Sequence, residues 1–415
     1  VSYLYQEIDA NGGDTVGLAP LAISPIPSGG SRIAFMGSDG MVHIAQLDAS
    51  DQLVAGSVFG LPAFDFQDLY ADDAGGVVLV SRTAVYGMGT GNCGSPSNLC
   101  GTPPNPPDYC FDMFLVRFDG TTQTWATKLT DSDATHPPYL TSPTDPNNLV
   151  YIWWYAHNGR IASDGTNYAA YFGAAISVSQ SGCVNIHQGD RMTVVDGSGA
   201  MQTGGFGWGC SHSGYERVLW DGSRFVTVCK NDLPDGTQSG RIAFAPNFTS
   251  NAIDAVDLYY SDLGSVLKAG GSGYWIITSD IRPGQTANSD GLADIHLLHA
   301  PSTTSAADRN LVLASDTGLN DRAPHLATYG SGRMLAAWET STATGDLSQN
   351  DPNRKLYLEV LDATSGASLG TPYYVSGVKG SRYQDFRAFP DSSVAYAAPG
   401  SSATKIKILR VLPCP

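Results

Sequence analysis

Seven times along the chain a short polar or aromatic run meets a tight turn and continues as an apolar run. The copies are IPSGGSRIAFMGS, YADDAGGVVLVSRT, TSPTDPNNLVYIWWYAHN, RVLWDGSRFVTVCKN, LKAGGSGYWIITSD, ATYGSGRMLAAWET and AFPDSSVAYAAPG, with turns near Gly30, Gly75, Pro146, Asp221, Gly271, Ser331 and Ser392. Turn residues between such runs are the local signal of a β-hairpin. Its recurrence at intervals of roughly 45 to 75 residues marks a repeat architecture. Each copy is followed by a second hairpin, as in MVHIAQLDASDQLVAGSVF, MFLVRFDGTTQTWATKL and KLYLEVLDATSGASLGTPYYV. Four antiparallel strands per repeat, seven times over, predict an all-β, seven-bladed β-propeller.

Residues 1–415 read as one such domain, because no linker interrupts the spacing; two stacked β-sandwiches are the competing arrangement. The N-terminal SYLYQEI is expected to pair beside TKIKILRVL in the last blade, since an open ring would leave a long unpaired strand edge. The 47 Gly, 24 Pro and 20 Tyr, with only 15% charged residues, agree with a β fold. No window carries the apolar period of a long helix.

Acidic residues number 39 against 23 Lys and Arg, for a net charge of −16. That balance excludes nucleic acid as a partner, because binding it depends on neutralising phosphates. It leaves room for an anionic polysaccharide held in a local Arg or Lys pocket. No apolar run reaches the roughly 18 residues of a spanning helix, so membrane insertion is not expected. The opening VSYLYQEID lacks the features of a signal peptide, and the reading is of an extracellular chain from which one has been removed. Cys93, Cys100 and Cys110 lie in the Gly/Pro-rich NCGSPSNLCGTPPNPPDYC, which cannot pack a core and is best tied by a disulfide in an oxidising compartment. The pairing among Cys93, Cys100, Cys110, Cys183 and Cys414 is open at this point. NFT at Asn247 is a possible glycan acceptor.

Two constellations carry chemistry. His187, Cys210, His212 and Cys229 form a two-His, two-Cys set suited to tetrahedral, structural Zn²⁺, with Cys183 as a substitute ligand; the competing reading is a Cys210–Cys229 disulfide beside two unrelated histidines. His136 and His157 are expected at the start of the first strand and the end of the second strand of blade three, hence side by side at the channel mouth. Two imidazoles there suit general acid–base work. Around them stand Tyr139, Trp153, Trp154, Tyr155, Tyr168 and Tyr171, with Arg160 placed to neutralise a carboxylate. Trp154 and Tyr139 are candidates for stacking on sugar rings. His325, in the blade position expected for His136, and Arg322 beside it are further substrate-binding candidates. His43, His296 and His299 flank apolar positions and read as structural. DLSQNDPNRK and TSPTDPNN offer oxygens for Ca²⁺ without matching an EF-hand loop.

Over residues 130–232 these patterns resemble the secreted seven-bladed propeller polysaccharide lyases of the ulvan lyase and rhamnosyl-glucuronate lyase type. The resemblance implies a histidine and a tyrosine, here Tyr168 or Tyr171, acting as acid and base in β-elimination from a uronate. It also implies a zinc held by His and Cys and an arginine on the uronate carboxylate. The family's arginine position falls in SVSQSGCVNIH, which has none; Arg160 and Arg191 are the nearest substitutes. A non-catalytic glycan-binding or extracellular-assembly propeller is the alternative function.

Overall fold

The repeat pattern resolves into seven antiparallel sheets. The computed structural model describes residues 2–9, 21–82, 100, 111–130, 149–151, 159–211, 215–232, 239–247, 250–257, 261–282, 292–316, 318–344 and 353–413. The described residues contain strands and turns and no helix. Taken in chain order, the innermost strands are Leu21–Pro25, Asp65–Ala71, Arg160–Ser163, Glu216–Trp220, Asp262–Lys268, Asn320–Tyr329 and Arg387–Ala388. Each packs beside the next, and Arg387–Ala388 packs back against Leu21–Pro25, so the ring is closed. The fold is a seven-bladed β-propeller.

Closure uses the two ends of the sequence, as expected. Ser2–Asp9 is the outermost strand of blade seven and pairs antiparallel with Lys405–Leu412, from Ser2 opposite Leu412 to Asp9 opposite Lys405. Apolar side chains pointing to both faces of each blade fill the gaps between blades. Val77, Leu79, Ile161 and Phe172 lie between blades two and three, and Leu335, Leu358, Tyr396 and Leu409 between six and seven. Gly264 permits the close approach of blades five and six, because a Cβ there would sit 2.3 Å from the Pro324 carbonyl oxygen.

Six of the seven inner turns fall where the sequence places them, and blade three is the exception. Its inner hairpin turns at Asp164–Gly165, joining Arg160–Ser163 to Asn167–Gln180, and not near Pro146. Leu149–Tyr151 instead pairs with the far half of Asn167–Gln180. That strand and its partner Cys183–Asp196 make a long hairpin whose tip is tied to Cys100 by the Cys100–Cys183 disulfide. The long connections between described strands, such as Arg82 to Asp112, fall at the end where the inner strands begin. The inner-hairpin turns at the opposite end are tight.

Candidate functional site at the channel

Where the inner strands begin, charged side chains from several blades meet across the channel. Arg160 of blade three donates to Asp385 through Nε (2.5 Å) and Nη2 (3.2 Å). Arg387 of blade seven donates to both oxygens of Asp68 in blade two at 2.6 and 2.8 Å and lies 3.6 Å from Asp385. Arg322 of blade six grips Asp262 of blade five through Nε (2.9 Å) and Nη2 (3.2 Å), and Arg382 stands 3.6 Å from the same carboxylate. Arg217 of blade four donates to the carbonyls of Glu216, Leu263 and Gly264. Arg160, Arg217 and Arg387 thus crowd around Asp385, and Arg322 and Arg382 around Asp262, at one end of the channel in a chain of net charge −16.

Two local devices put them there. The inner strands of blades two, five and six each carry a register shift at this height, between Phe66 and Asp68, Leu263 and Val266, and Arg322 and His325. A bulge re-aims the side chains around it. In blade six the shift holds Ala323 at φ +50°, a left-handed conformation costing an alanine roughly 1 kcal/mol. The Ala323 amide offsets this by donating to Asp262 (3.1 Å). The second device is the segment Ser381–Asp385, which crosses the channel end. Arg382 reaches blade five and Asp385 reaches blade three. The Gln384 amide, oriented to satisfy its neighbours, donates to Tyr396 Oη and the Ala397 carbonyl and accepts from the Leu21 amide.

The layer's electrostatics follow from this crowding. Burial alone would raise the Asp385 carboxyl, but Arg160, then Arg387 and Arg217, outweigh it and hold it well below the usual carboxylate range. Asp262 is held low in the same way by Arg322 and Arg382 against its burial. Burial, then Arg160, brings Arg217 down to about 10. His325 is 1% exposed and lies 3.9 Å from Asp385, beyond hydrogen-bond length, and burial lowers its pKa against the pull of that carboxylate.

Of the residues singled out in the sequence, Arg160, Arg322 and His325 come to this layer, all three buried. Tyr168 and Tyr171 do not. They are three apart on one strand and point to opposite faces of blade three. Tyr168 packs toward blade two and bonds Arg117 (2.9 Å) and Asp72 (3.2 Å). Tyr171 is fully buried and donates to Asp190 (2.6 Å) beside Cys210 and Cys229. Neither phenol faces the channel layer, and Tyr171 is closed off from solvent altogether. Arg191 sits on the third strand, opposite Phe172. The strands expected to carry His136 and His157 in blade three are Arg160–Ser163 and Asn167–Gln180 instead, so the stated reason for their pairing falls away. His136, Tyr139, Trp153, Trp154, Tyr155, His157 and His212 lie outside the described residues, as do Cys93, Cys110, Cys414, TSPTDPNN and most of DLSQNDPNRK.

The predicted zinc set is not assembled among the described residues. Cys210 and Cys229 converge, but as a disulfide, and zinc is bound by thiolates, which a disulfide does not offer. Cys183 is likewise joined to Cys100. His187 contacts Asn185 (3.2 Å) and meets the Trp208 ring edge to face. The acid beside the disulfide is Asp190, whose carboxyl is pushed well up by burial and then by Glu216. The histidines read as structural each have a polar partner: His43 pairs with Asp39 (3.0 Å), His296 with Asn310 (2.9 Å), and His299 with Asp308 (2.6 Å).

Asp68, Arg217, Asp262, Arg382, Asp385 and Arg387 are the site residues that sequence reasoning missed. A signal for Asp68, Arg217 and Arg387 exists. GRIASDG, ERVLWDG and FRAFPDS each carry an arginine four residues before the turn aspartate, at Arg160/Asp164, Arg217/Asp221 and Arg387/Asp391. Equal distance from the turn means equal height in the channel. The same spacing in blade two gives Asp68/Asp72, which explains why Asp68 meets Arg387.

No protein-family profile matches the chain, and no curated protein matches it. Solved structures with a similar course include the WD40 domain of coronin from Toxoplasma gondii, at 9% identity and TM-score 0.47 over 100% of this chain and 87% of that one. The GH93 α-L-arabinofuranosidase of Fusarium graminearum shares 10% identity at TM-score 0.41, over 97% and 96% of the two chains. A thermostable family-43 glycoside hydrolase shares 10% identity at TM-score 0.35, over 65% and 91%. None of these likenesses bears on what this chain does; its fold stands on its own strand topology.

Proposed function

We propose that this chain is an extracellular carbohydrate-active propeller that engages an anionic, uronate-containing polysaccharide over the arginine layer, at the face where the inner strands begin, and cleaves it by β-elimination. The observation that carries the reading is the gathering of Arg160, Arg217, Arg322, Arg382 and Arg387 at one end of the channel in an otherwise acidic protein. A guanidinium on the uronate carboxylate disperses the charge that builds when the neighbouring carbon loses its proton, the kind of preorganised help that elimination needs. Arg382 and Arg387 are the partly exposed members, their side chains 30% and 25% accessible, and Arg382, the more accessible, is placed to make first contact. His136 and His157, outside the described residues, are proposed as proton-transfer residues on the family resemblance alone. The two disulfides fit an oxidising, extracellular setting.

The test is incubation with a panel of uronate polysaccharides while following the ultraviolet absorbance of the unsaturated product. A rise that is lost in His136→Ala and His157→Ala and falls about tenfold or more in Arg382→Ala supports the proposal, a charge-assisted contact being worth that much. A second reading, a glycan-binding propeller without turnover, is favoured by the burial of Tyr168 and Tyr171 away from the channel. A flat trace with retained, Arg382-dependent polysaccharide binding would select it.

A further inference from the structure

Beyond the arginine layer the channel widens into a cavity of about 350 Å³. One end is formed by Arg160, Arg217, Arg387 and Asp385. Ile161, Leu219, Val266, Leu326 and Phe386 supply apolar wall, and Thr328 and Ala388, both exposed, stand at the far end beside Trp220. Those last residues lie where the inner strands finish, so the cavity opens on the face opposite the proposed polysaccharide site. Its volume lies in the range of small-molecule pockets, about 300–1,000 Å³, which are typically apolar with a few convergent polar groups.

Charge is confined to the closed end, where three arginines face one aspartate. Asp68 offsets part of this by pairing with Arg387 from outside the cavity wall. The crowding is visible at Arg217, which gives up part of its basicity to burial and to Arg160, a strain that an incoming anion relieves. Hydroxyls in the wall are few, at Tyr70, Ser163, Ser265 and Thr328, so a ligand polar along its whole length is matched less well than one with an apolar body. The wall favours a hydrocarbon or aromatic body.

We propose that the cavity binds a small amphiphilic carboxylate, its head group at Arg217 and Arg387 and its apolar body along Leu219, Leu267 and Trp220. The proposal does not rest on the polysaccharide reading: the cavity is entered from the other face and takes another chemistry, although Arg217 and Arg387 belong to both sites.

Titration of the full chain with 1-anilinonaphthalene-8-sulfonate, followed by competition with decanoate and with decanol, tests it. Saturable fluorescence with one site per chain is expected, displaced by decanoate at concentrations about tenfold or more below those of decanol, as a charge-assisted contact implies. Arg217→Met should remove the preference for decanoate. Ala388→Trp, a change at an exposed position on the cavity wall, should abolish binding of both. Absence of saturable binding, equal displacement by decanol, or decanoate binding that survives Ala388→Trp each overturns the proposal, and the last holds even if Arg217→Met fails to fold.

Discussion

Asp262→Asn keeps the shape of a buried side chain and removes its charge. Asp262 accepts from Arg322 (2.9 and 3.2 Å), from Tyr215 Oη (2.6 Å) and from the Ala323 amide (3.1 Å). Both Asp262 and Arg322 are almost wholly shielded from water, at 2% and 1% exposure. The amide would leave the guanidinium without its ionised partner where solvent cannot take over. Breaking a buried pair in this way costs about 3–5 kcal/mol, a large share of the roughly 5–15 kcal/mol that holds a domain folded. The assay is urea unfolding by tryptophan fluorescence, with the slope on urea unchanged so that the midpoint reports stability. The sign of the pH dependence follows from the lowered carboxyl. Its stabilisation is present above the unfolded value near pH 4 and fades as pH falls toward the folded one, so wild type and variant should converge on acidification. Asp262→Asn/Arg322→Met should recover to within about 1–2 kcal/mol of wild type, because no charge is then stranded. A single-variant loss below about 1 kcal/mol, or a double variant as unstable as the two single losses added, would refute the coupling.

Burial, then Asp316 and Asp294, pushes the Asp321 carboxyl up to about 6. Its folded value lies above the unfolded one, so stability should fall as pH rises from about 4 to 6 and Asp321→Asn should flatten that slope in melting-temperature profiles; an unchanged slope assigns it to other groups. The paired Cys210→Ser and Cys229→Ser changes open a disulfide with a sequence separation of 19 and should cost about 3 kcal/mol. Non-reducing peptide mapping should recover the Cys210–Cys229 link, and an equivalent of zinc bound with both thiols free would restore the metal set instead. Removing residues 1–9 exposes the edge of Lys405–Leu412 and should yield oligomers on size-exclusion chromatography; a well-behaved monomer would show that closure is dispensable.

The propeller was legible because its signals are local. DGSRF, GGSGY and GSGRM each name a hairpin without reference to the rest of the chain, and six inner turns came out correctly on that basis. Blade three failed because TSPTDPNN looks more turn-like than ASDGTN, although the second carries the arginine-to-aspartate spacing seen in blades four and seven. The channel layer was legible only in part. Arg160, Arg322 and His325 were found as neighbours of other candidates, but the partner of Arg160 is 225 residues away in a connecting segment, and no pattern around RYQDF announces that it crosses the channel. Tyr168 and Tyr171 were misplaced by reading proximity in sequence as proximity to the mouth. The alternation of a strand sends residues three apart to opposite faces.

The crossing segment also bears on how the ring is made. Arg382 and Asp385 fasten blades five and three to a stretch just ahead of blade seven, so this hub can form only after most of the chain has been laid down. Until then Arg160 and Arg217 stand in the centre of the unfinished disc without the Asp385 carboxylate that later sits beside them. Contacts of such sequence separation are slow to form. The segment ahead of the last blade is therefore what supplies the centre with its late carboxylate, and lesions near Asp385 should surface as slow or failed assembly before they surface as lost activity.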